Sequence, residues 1–181
     1  MPTPDLGRSR RSTSQPSEPQ KMQGSGDLLS FFRSPVDNAR VNSAFGFRSV
    51  PKGTKSVNMV GGKQLNTGID LGGKIGDQIK AAAPGKVVSV VTNPKDKAFR
   101  AGWGKHVLVE HDVNGQKVYT RYSHLNDVAG LKVGQSIGAG TLLGFLGKSG
   151  NATGPHLDFE MFTKDAKGRN KFIDTNKLFG R

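Results

Sequence analysis

Two stretches decide the fold of this chain: Leu-Asn-Thr-Gly-Ile-Asp at residues 65–70 and Gly-Pro-His-Leu-Asp-Phe-Glu at residues 154–160. Each is a short β-type run beside glycine, the pattern of a strand next to a turn. Because alternate side chains of a strand point to the same side, His156 and Asp158 are predicted to share one face. We expect that face to line a groove.

Together with Tyr-Ser-His-Leu at residues 122–125, these stretches resemble the lysostaphin-type peptidoglycan endopeptidases, the M23 or LytM-like family. The resemblance runs from about residue 41 to residue 179. It includes Ala-Phe-Gly-Phe-Arg at 44–48, the Ala-Pro-Gly turn at 83–85 and the glycine-rich run at 147–155. The resemblance implies an all-β fold, an antiparallel LytM-like sheet domain with long groove-forming loops.

The resemblance also assigns roles to five positions. In that family a His-x-x-x-Asp stretch and the second His of a His-x-His strand hold one zinc ion. Here Asn66 stands in place of the first His, Asp70 matches the Asp, and Asp158 stands in place of the last zinc-binding His. His124 and His156 match the two catalytic histidines that do not bind the metal.

The substitutions change the metal chemistry that the resemblance implies. Catalytic zinc prefers imidazole, thiolate and carboxylate ligands, with a water in its open position. Asn66, Asp70 and Asp158 offer only oxygen, a set better suited to magnesium, calcium or manganese. Without a tightly held Lewis acid, the pKa of the attacking water stays near about 15.7 instead of about 7. We therefore expect a degenerate site with no cofactor, and zinc only if the family activity is retained.

The metal-site residues also have ordinary structural interpretations. Asn66 and Asp70 bracket Gly68, and these three residue types are common in turns. Asp158 lies in an apolar strand, where a carboxylate is disfavoured unless it faces water or a partner. For Asp158 the groove interpretation is therefore favoured over the structural one.

The histidines and the single tryptophan leave alternatives open. His124 and His156 are predicted to hydrogen-bond the carbonyl groups of a bound peptide, although a structural role is the alternative. His106 and His111 lie on one predicted strand and are interpreted as structural. Trp103 either stacks on a sugar or packs on its own loop.

Charge and composition limit the function classes. The net charge of +13 favours encounter with polyanions such as cell-wall polymers, lipid headgroups or nucleic acid. No stacking motif or recognition-helix pattern accompanies that charge, so sequence-specific nucleic-acid binding is not expected. The absence of cysteine excludes disulfides and thiolate ligands.

The chain divides into three predicted segments. Residues 1–26 have almost no large apolar side chain, which predicts a disordered or assembly-anchoring arm. Residues 27–40 are predicted to be a short docking segment with a helical turn that ends before Pro35. Residues 41–181 are predicted to form the β domain, including strands at 41–47 and 65–71. The long loops at 49–64 and 93–103 are expected to form groove walls.

Three functional hypotheses follow. The first is a degenerate peptidoglycan-interacting component of a phage virion, in its tail or interior, with lost or very weak endopeptidase activity. It rests on the substituted site and on the N-terminal sequence, which has no apolar signal segment, while the chain has no run that spans a membrane. Its expected partners are peptidoglycan and, through the arm, other virion proteins. The alternatives are an active metalloendopeptidase with a non-standard metal, and a purely structural virion assembly protein.

Overall fold

The computed structural model describes residues 21–49, 59–60 and 63–180. Within these residues the helical segments are short, at 28–31, 99–103 and 176–179, and none is long and apolar enough to cross a bilayer. The strands, in chain order, are β1 (Arg40–Ser43), β2 (Gly46–Arg48), β3 (Met59–Val60), β4 (Lys63–Asn66), β5 (Ile69–Gly72), β6 (Gln78–Lys80), β7 (Gly85–Val91), β8 (Lys105–Val113), β9 (Gln116–Leu125), β10 (Asp127–Val128), β11 (Ser136–Ile137), β12 (Leu142–Phe145), β13 (His156–Lys164) and β14 (Asn170–Phe172).

One large sheet organises these strands. Its order is β1-β5-β13-β9-β8-β7-β11, and β14 pairs with β13 beyond the end of β5. Two small sheets, β10-β12-β6 and β2-β4-β3, flank it. The named strand pairs are antiparallel. The predicted all-β, antiparallel LytM-like fold is confirmed.

The two faces of the central strand β13 have different roles. Leu157, Phe159 and Met161 point into the hydrophobic core and are fully buried. The alternate residues Asp158 and Glu160 therefore lie on the other face, as the period of two requires. The core fixes the register of β13, because a slip by one residue would bury both carboxyl groups among apolar side chains.

Gly68 interrupts the strand predicted at residues 65–71. Strand β4 ends at Asn66 and β5 begins at Ile69, so the prediction of one continuous strand is wrong. A Cβ atom at Gly68 would lie 2.5 Å from Asp158 Oδ1 and 2.7 Å from the Phe159 carbonyl oxygen. The chain crosses β13 at a distance that only glycine permits, and this close approach breaks the strand.

Two other predicted segments also differ. The strand predicted at residues 41–47 is split into β1 and β2 by residues 44–45. The loop predicted at residues 49–64 contains β3 and the start of β4, while its residues 50–58 and 61–62 lie outside the described residues. Both differences arise from tertiary pairing of short segments, which a local pattern does not report.

The segment before β1 contributes to the folded body. Phe32 and Val36 are buried in the hydrophobic core, and the Arg33 backbone N–H donates to the Ala82 carbonyl oxygen at 2.9 Å. Residues 1–20 of the predicted arm lie outside the described residues. From Lys21 onward it is ordered: the Met22 N–H donates to Asp112 O at 2.9 Å.

Candidate functional site

Asp70 and Asp158 are direct neighbours across the pair of strands β5 and β13. Their Cα atoms are register partners, and the adjacent pair, Leu71 and Leu157, is buried in the core. Cross-strand partners point to the same face, so the two carboxyl groups lie together on the face opposite the core. The structure therefore brings together two of the three positions that the resemblance assigns to the metal.

Asp70 forms an ion pair with Arg48 on strand β2. Arg48 Nη1 lies 3.1 Å from Asp70 Oδ2 and donates to Ser43 Oγ at 2.8 Å. Arg48 Nε also donates to Gln64 Oε1 at 3.1 Å. These contacts fix the guanidinium against one oxygen of Asp70. Sequence reasoning assigned no role to Arg48, although it lies in the quoted stretch at 44–48.

The Asn66 side chain forms hydrogen bonds with the backbone and with Ser43. Its Nδ2 donates to Ser43 Oγ at 3.3 Å and to the Ala44 carbonyl oxygen at 3.2 Å, and its Oδ1 accepts from the Gly68 N–H at 3.3 Å. The residue is 8% exposed. The amide therefore joins the corner between β1 and β2 to the turn between β4 and β5.

Unlike Asp70, Asp158 has no ion-pair partner among the described residues. Its Oδ1 is buried and has no hydrogen-bond partner among the described residues. Burial raises the pKa of Asp158 well above its ordinary value of 3.8, and the nearby Glu160 and Asp70 carboxylates raise it further. Arg121 and Arg48 oppose that rise only in part. A raised pKa makes Asp158 a weaker metal ligand, because a carboxyl group must lose its proton to bind a metal.

As placed, Asn66, Asp70 and Asp158 do not fit a zinc ion. Both the nitrogen and the oxygen of the Asn66 amide are hydrogen-bonded, one oxygen of Asp70 contacts a guanidinium, and burial raises the pKa of Asp158. Among residues 21–49 and 63–180, no three His, Asp or Glu side chains come close enough to hold a metal ion. The donor set therefore lacks the imidazoles that zinc prefers.

His124 and His156 lie side by side next to these carboxyl groups. Their ring centroids are 4.8 Å apart, and His156 is opposite Gly72 in the register of β13 and β5. The His124 Nδ1 is 2.8 Å from the Ser149 carbonyl oxygen, and the His156 Nδ1 is 2.9 Å from the Gly154 carbonyl oxygen. Burial lowers the pKa of His124 to about 4, and the proximity of His156 acts in the same direction.

Ser149 holds His124 in its position. The Ser149 Oγ donates to the Leu125 carbonyl oxygen at 2.7 Å and accepts from the Lys105 N–H at 2.9 Å. His124 itself has φ of 64°, a left-handed conformation that costs a non-glycine residue about 1–3 kcal/mol. The surrounding contacts must maintain this conformation. Sequence reasoning missed Ser149, because its contact with His124 uses a backbone carbonyl.

A buried ion pair adjoins the carboxyl groups. Arg121 Nη1 lies 2.8 Å from Glu160 Oε2, with both side chains almost fully buried, and Thr67 Oγ1 donates to Glu160 Oε1 at 2.5 Å. The indole of Trp103 covers the guanidinium at 3.7 Å. Sequence reasoning missed this ion pair. The signal that could have indicated it is one charged residue on each of two largely apolar strands.

The remaining aromatic and histidine residues have local partners. Trp103 packs on Arg121 and meets the edge of the His106 ring at a centroid distance of 5.7 Å. His106 Nδ1 is 2.9 Å from the Gly104 carbonyl oxygen. His111 Nδ1 is 2.8 Å from the Pro84 carbonyl oxygen, and both histidines are buried. These contacts are those of structural residues.

Comparison with known proteins places this geometry in a family. Residues 64–171 match Peptidase family M23. The chain is 32% identical over 126 residues to the DD-carboxypeptidase/endopeptidase Mpg of Neisseria meningitidis, an alignment that covers 70% of this chain and 25% of Mpg. The chain thus spans about a quarter of the length of that curated relative.

Solved structures give the same result. A zinc-containing peptidase from Vibrio cholerae has a TM-score of 0.58 at 28% identity, over 78% of this chain and 38% of that one. A variant catalytic domain of the prophage-encoded M23 protein EnpA from Enterococcus faecalis has a TM-score of 0.57 at 25% identity, over 78% and 94% of the two chains. The chain belongs to peptidase family M23.

Proposed function

We propose that this chain is a degenerate M23 domain that binds peptidoglycan and hydrolyses it very weakly or not at all. We propose further that it acts as a component of a phage particle at the bacterial cell wall. The proposed loss of activity rests on Asn66. Its amide nitrogen donates hydrogen bonds to Ser43 and Ala44, and its amide oxygen accepts one from Gly68.

The loss of a metal site removes the nucleophile of the family reaction. Hydrolysis of an amide at neutral pH needs a water whose pKa is lowered, which a metal supplies when it is bound. Asn66 replaces an imidazole, and Arg48 places a positive charge at Asp70. The chain retains the imidazoles of His124 and His156, which are able to bind a peptide but do not replace the Lewis acid.

The choice of peptidoglycan rests on the relatives and on charge. Mpg is named a DD-carboxypeptidase/endopeptidase, and ShyA of Vibrio cholerae a peptidoglycan DD-endopeptidase. The net charge of +13 favours approach to anionic cell-wall polymers. The virion assignment rests on the composition of the arm at residues 1–26 and on the likeness to a prophage-encoded protein.

Zinc content and binding at high salt test this function together. Protein purified without added metal is expected to contain well under one zinc per chain. It should sediment with purified peptidoglycan at 1 M salt, where exposed charges are screened to about 3 Å, and release no soluble fragments. Stoichiometric zinc that survives dialysis against a mild chelator, together with hydrolysis, would establish the active metalloendopeptidase instead.

Restoring the ligands provides a matched gain-of-function test. Asn66→His combined with Asp158→His is expected to raise zinc affinity well above that of the parent, and each single change should do less. A double variant that folds but binds no more zinc than the parent would show that these positions do not converge.

Deletion of the arm tests the alternative of a purely structural virion protein. If residues 1–20 anchor the chain in a particle, their deletion should abolish incorporation while leaving peptidoglycan binding intact. Retained incorporation would contradict the anchoring role. Incorporation without any peptidoglycan binding by the full chain would support a purely structural protein.

A further inference from the structure

A continuous set of contacts joins the two sides of the candidate site. On one side, the turn between β4 and β5 carries Thr67, whose Oγ1 donates to Glu160 Oε1 at 2.5 Å. On the other side, the ring of Trp103, just before β8, lies 3.7 Å from Arg121 Cζ. Glu160 on β13 and Arg121 on β9 are register partners between these two sides. These four side chains form a cross-sheet network that runs from β5 to β8.

The ion pair at the centre of the cross-sheet network makes its two members interdependent. Arg121 Nη1 and Glu160 Oε2 are 2.8 Å apart in an orientation that is not a hydrogen bond, and neither atom has another partner among the described residues. The two side chains are only 6% and 3% exposed. A buried charge that loses its partner is strongly unfavourable, so neither side chain can move away without the other.

The turn that carries Thr67 packs directly on Glu160. A Cβ atom at Gly68 would lie 2.7 Å from Glu160 Cγ, a distance that leaves room only for glycine. The same turn follows Asn66 at the end of β4 and precedes β5, which carries Asp70. Glu160 therefore contacts the element that places both of these site residues.

The loop that carries Trp103 reaches His124 on the other side. The Lys105 N–H, at the end of this loop, donates to Ser149 Oγ at 2.9 Å. A Cβ atom at Gly104 would lie 2.4 Å from the carbonyl carbon of Ser149, so the two backbones are in direct contact. Ser149 in turn holds the His124 ring through its carbonyl oxygen. A displacement of the loop would therefore move the support of His124.

We propose that Glu160 is a positioning residue that joins the two sides of the site. It fixes Thr67 directly and Trp103 through Arg121. The turn between β4 and β5 and the loop before β8 therefore keep one relative position, and a change at either is transmitted to the other. The use of this coupling in ligand binding rests on the proposed peptidoglycan binding, because a site already held in one shape loses less conformational entropy when it binds.

Trp103 is the only tryptophan of the chain, so its fluorescence reports the coupling from the far side of the site. Thr67→Val removes the hydroxyl group but keeps the branched shape of the side chain. We expect red-shifted emission and stronger quenching by acrylamide, because the loosened indole becomes more accessible. Acrylamide is neutral, so the net charge of +13 does not attract it.

Hydrogen exchange and a conservative variant complete this test. In Thr67→Val, exchange of the Lys105 amide should accelerate by about two- to tenfold, as for the loss of one hydrogen bond. Thr67→Ser keeps the hydroxyl group and should restore the parent values of both measurements. A general loss of stability would not be corrected by serine in this way. Thermal unfolding of each variant checks that it folds.

Two further variants locate the response. Thr163→Val changes the same residue type on the opposite face of β13 from Glu160, and it should leave the emission of Trp103 unchanged. Glu160→Gln keeps the size of the side chain but removes its charge, so it should alter that emission by itself. Adding Thr67→Val to Glu160→Gln should then have a smaller effect than in the parent. If Glu160→Gln does not fold, the Thr67 variants decide alone.

The outcomes separate this inference from the proposed function. Unchanged emission and unchanged Lys105 exchange in a folded Thr67→Val would overturn the coupling, whatever the protein binds. An equal response in Thr67→Ser would overturn the role of the hydroxyl group and of its contact with Glu160. Affinity for purified peptidoglycan at high salt should fall by about two- to tenfold in Thr67→Val but not in Thr67→Ser. A parent that binds no peptidoglycan would overturn the proposed function, while the emission of Trp103 would still decide the coupling.

Discussion

Arg48 brings its guanidinium to Asp70, with Nη1 3.1 Å from Oδ2, and so places a fixed positive charge beside a position that the M23 resemblance assigns to the metal. The contact depends on two small pairings: β2 with β4, and β1 with β5. Ser43 and Gln64 hold the guanidinium from either side. The corner between β1 and β2 is thereby tied to the carboxyl group by an ion pair.

Arg48→Met should lower the free energy of unfolding by roughly 0.5–1 kcal/mol, because the Arg48 side chain is 37% exposed and solvent screens the pair. Urea unfolding measures the loss. Arg40→Met, which removes an exposed side chain that donates to Asn42, is the control and should change stability by less than about 0.5 kcal/mol. In an Asp70→Asn background, Arg48→Met should cause a smaller loss of unfolding free energy than in the parent. An unchanged loss would show that the two residues are not coupled.

The spacing of two on an apolar strand predicts that His156 and Asp158 share a face. The resemblance supplied their assignment to the site, together with that of Asp70 and His124 on other strands. It also supplied the all-β fold class. These residues could be found because each lies in a contiguous motif.

The contacts that change the chemistry of the site are not local. Arg48 reaches Asp70 through pairings of strands that sequence analysis merged or placed in a loop. Ser149 acts on His124 through a backbone carbonyl, and every residue has one. The state of Asn66 depends on Ser43 and Ala44, more than twenty positions earlier in the chain. Such contacts require the tertiary structure.

Asp158→Asn should stabilise the protein at neutral pH. Burial raises the folded-state pKa of Asp158, so the folded state holds the proton more tightly than the unfolded chain. Protonated Asp158 therefore contributes its full share to the free energy of unfolding below the unfolded pKa of about 3.8. That contribution is lost as the pH rises through the folded pKa. The amide does not ionise and avoids that loss.

Chemical unfolding of the parent and of Asp158→Asn across pH 4–8 measures this effect. The advantage of the variant should increase with pH. Asp127→Asn changes an exposed carboxylate and should show no such trend. A constant difference across the pH range would contradict a raised pKa for Asp158.

His111 should make stability fall in acid. Burial lowers its pKa from 6.5 to about 4, while its two ring nitrogens contact the Pro84 carbonyl oxygen and Thr120 Oγ1. Between these values the unfolded chain binds a proton that the folded chain does not. The stabilising contribution is therefore present above pH 6.5 and is lost by about pH 4, at a total cost of about 3 kcal/mol.

Urea unfolding at pH 7.5 and pH 4.5 tests this prediction in the parent and in His111→Gln. The variant should be less stable at pH 7.5 but should lose less stability on acidification. The pKa of His124 is also lowered to about 4, so the parent should show a larger drop than His111 alone explains. Equal pH dependence of parent and variant would exclude His111 as a source.

Gly68→Ala should destabilise the domain by about 1–3 kcal/mol, the usual cost of overpacking. The new Cβ would lie 2.5 Å from Asp158 Oδ1 and 2.7 Å from the Phe159 carbonyl oxygen, and the latter is backbone that cannot move without disturbing β13. Gly138→Ala is the matched control, since the nearest atom to its Cβ is Thr141 Oγ1 at 4.0 Å. That change should be neutral or stabilise by about 0.4–1 kcal/mol.

A second substitution separates the Asp158 contact at Gly68 from the other two, which are Glu160 Cγ and the Phe159 carbonyl oxygen, each at 2.7 Å. Asp158→Ala removes the Oδ1 atom but leaves Glu160 Cγ and the Phe159 carbonyl oxygen, so it should restore only part of the stability lost in Gly68→Ala. Full restoration would assign the whole clash to the carboxyl group. No loss in Gly68→Ala itself would mean that the chain does not cross β13 as closely as described, and the broken strand between Asn66 and Ile69 would then need another cause.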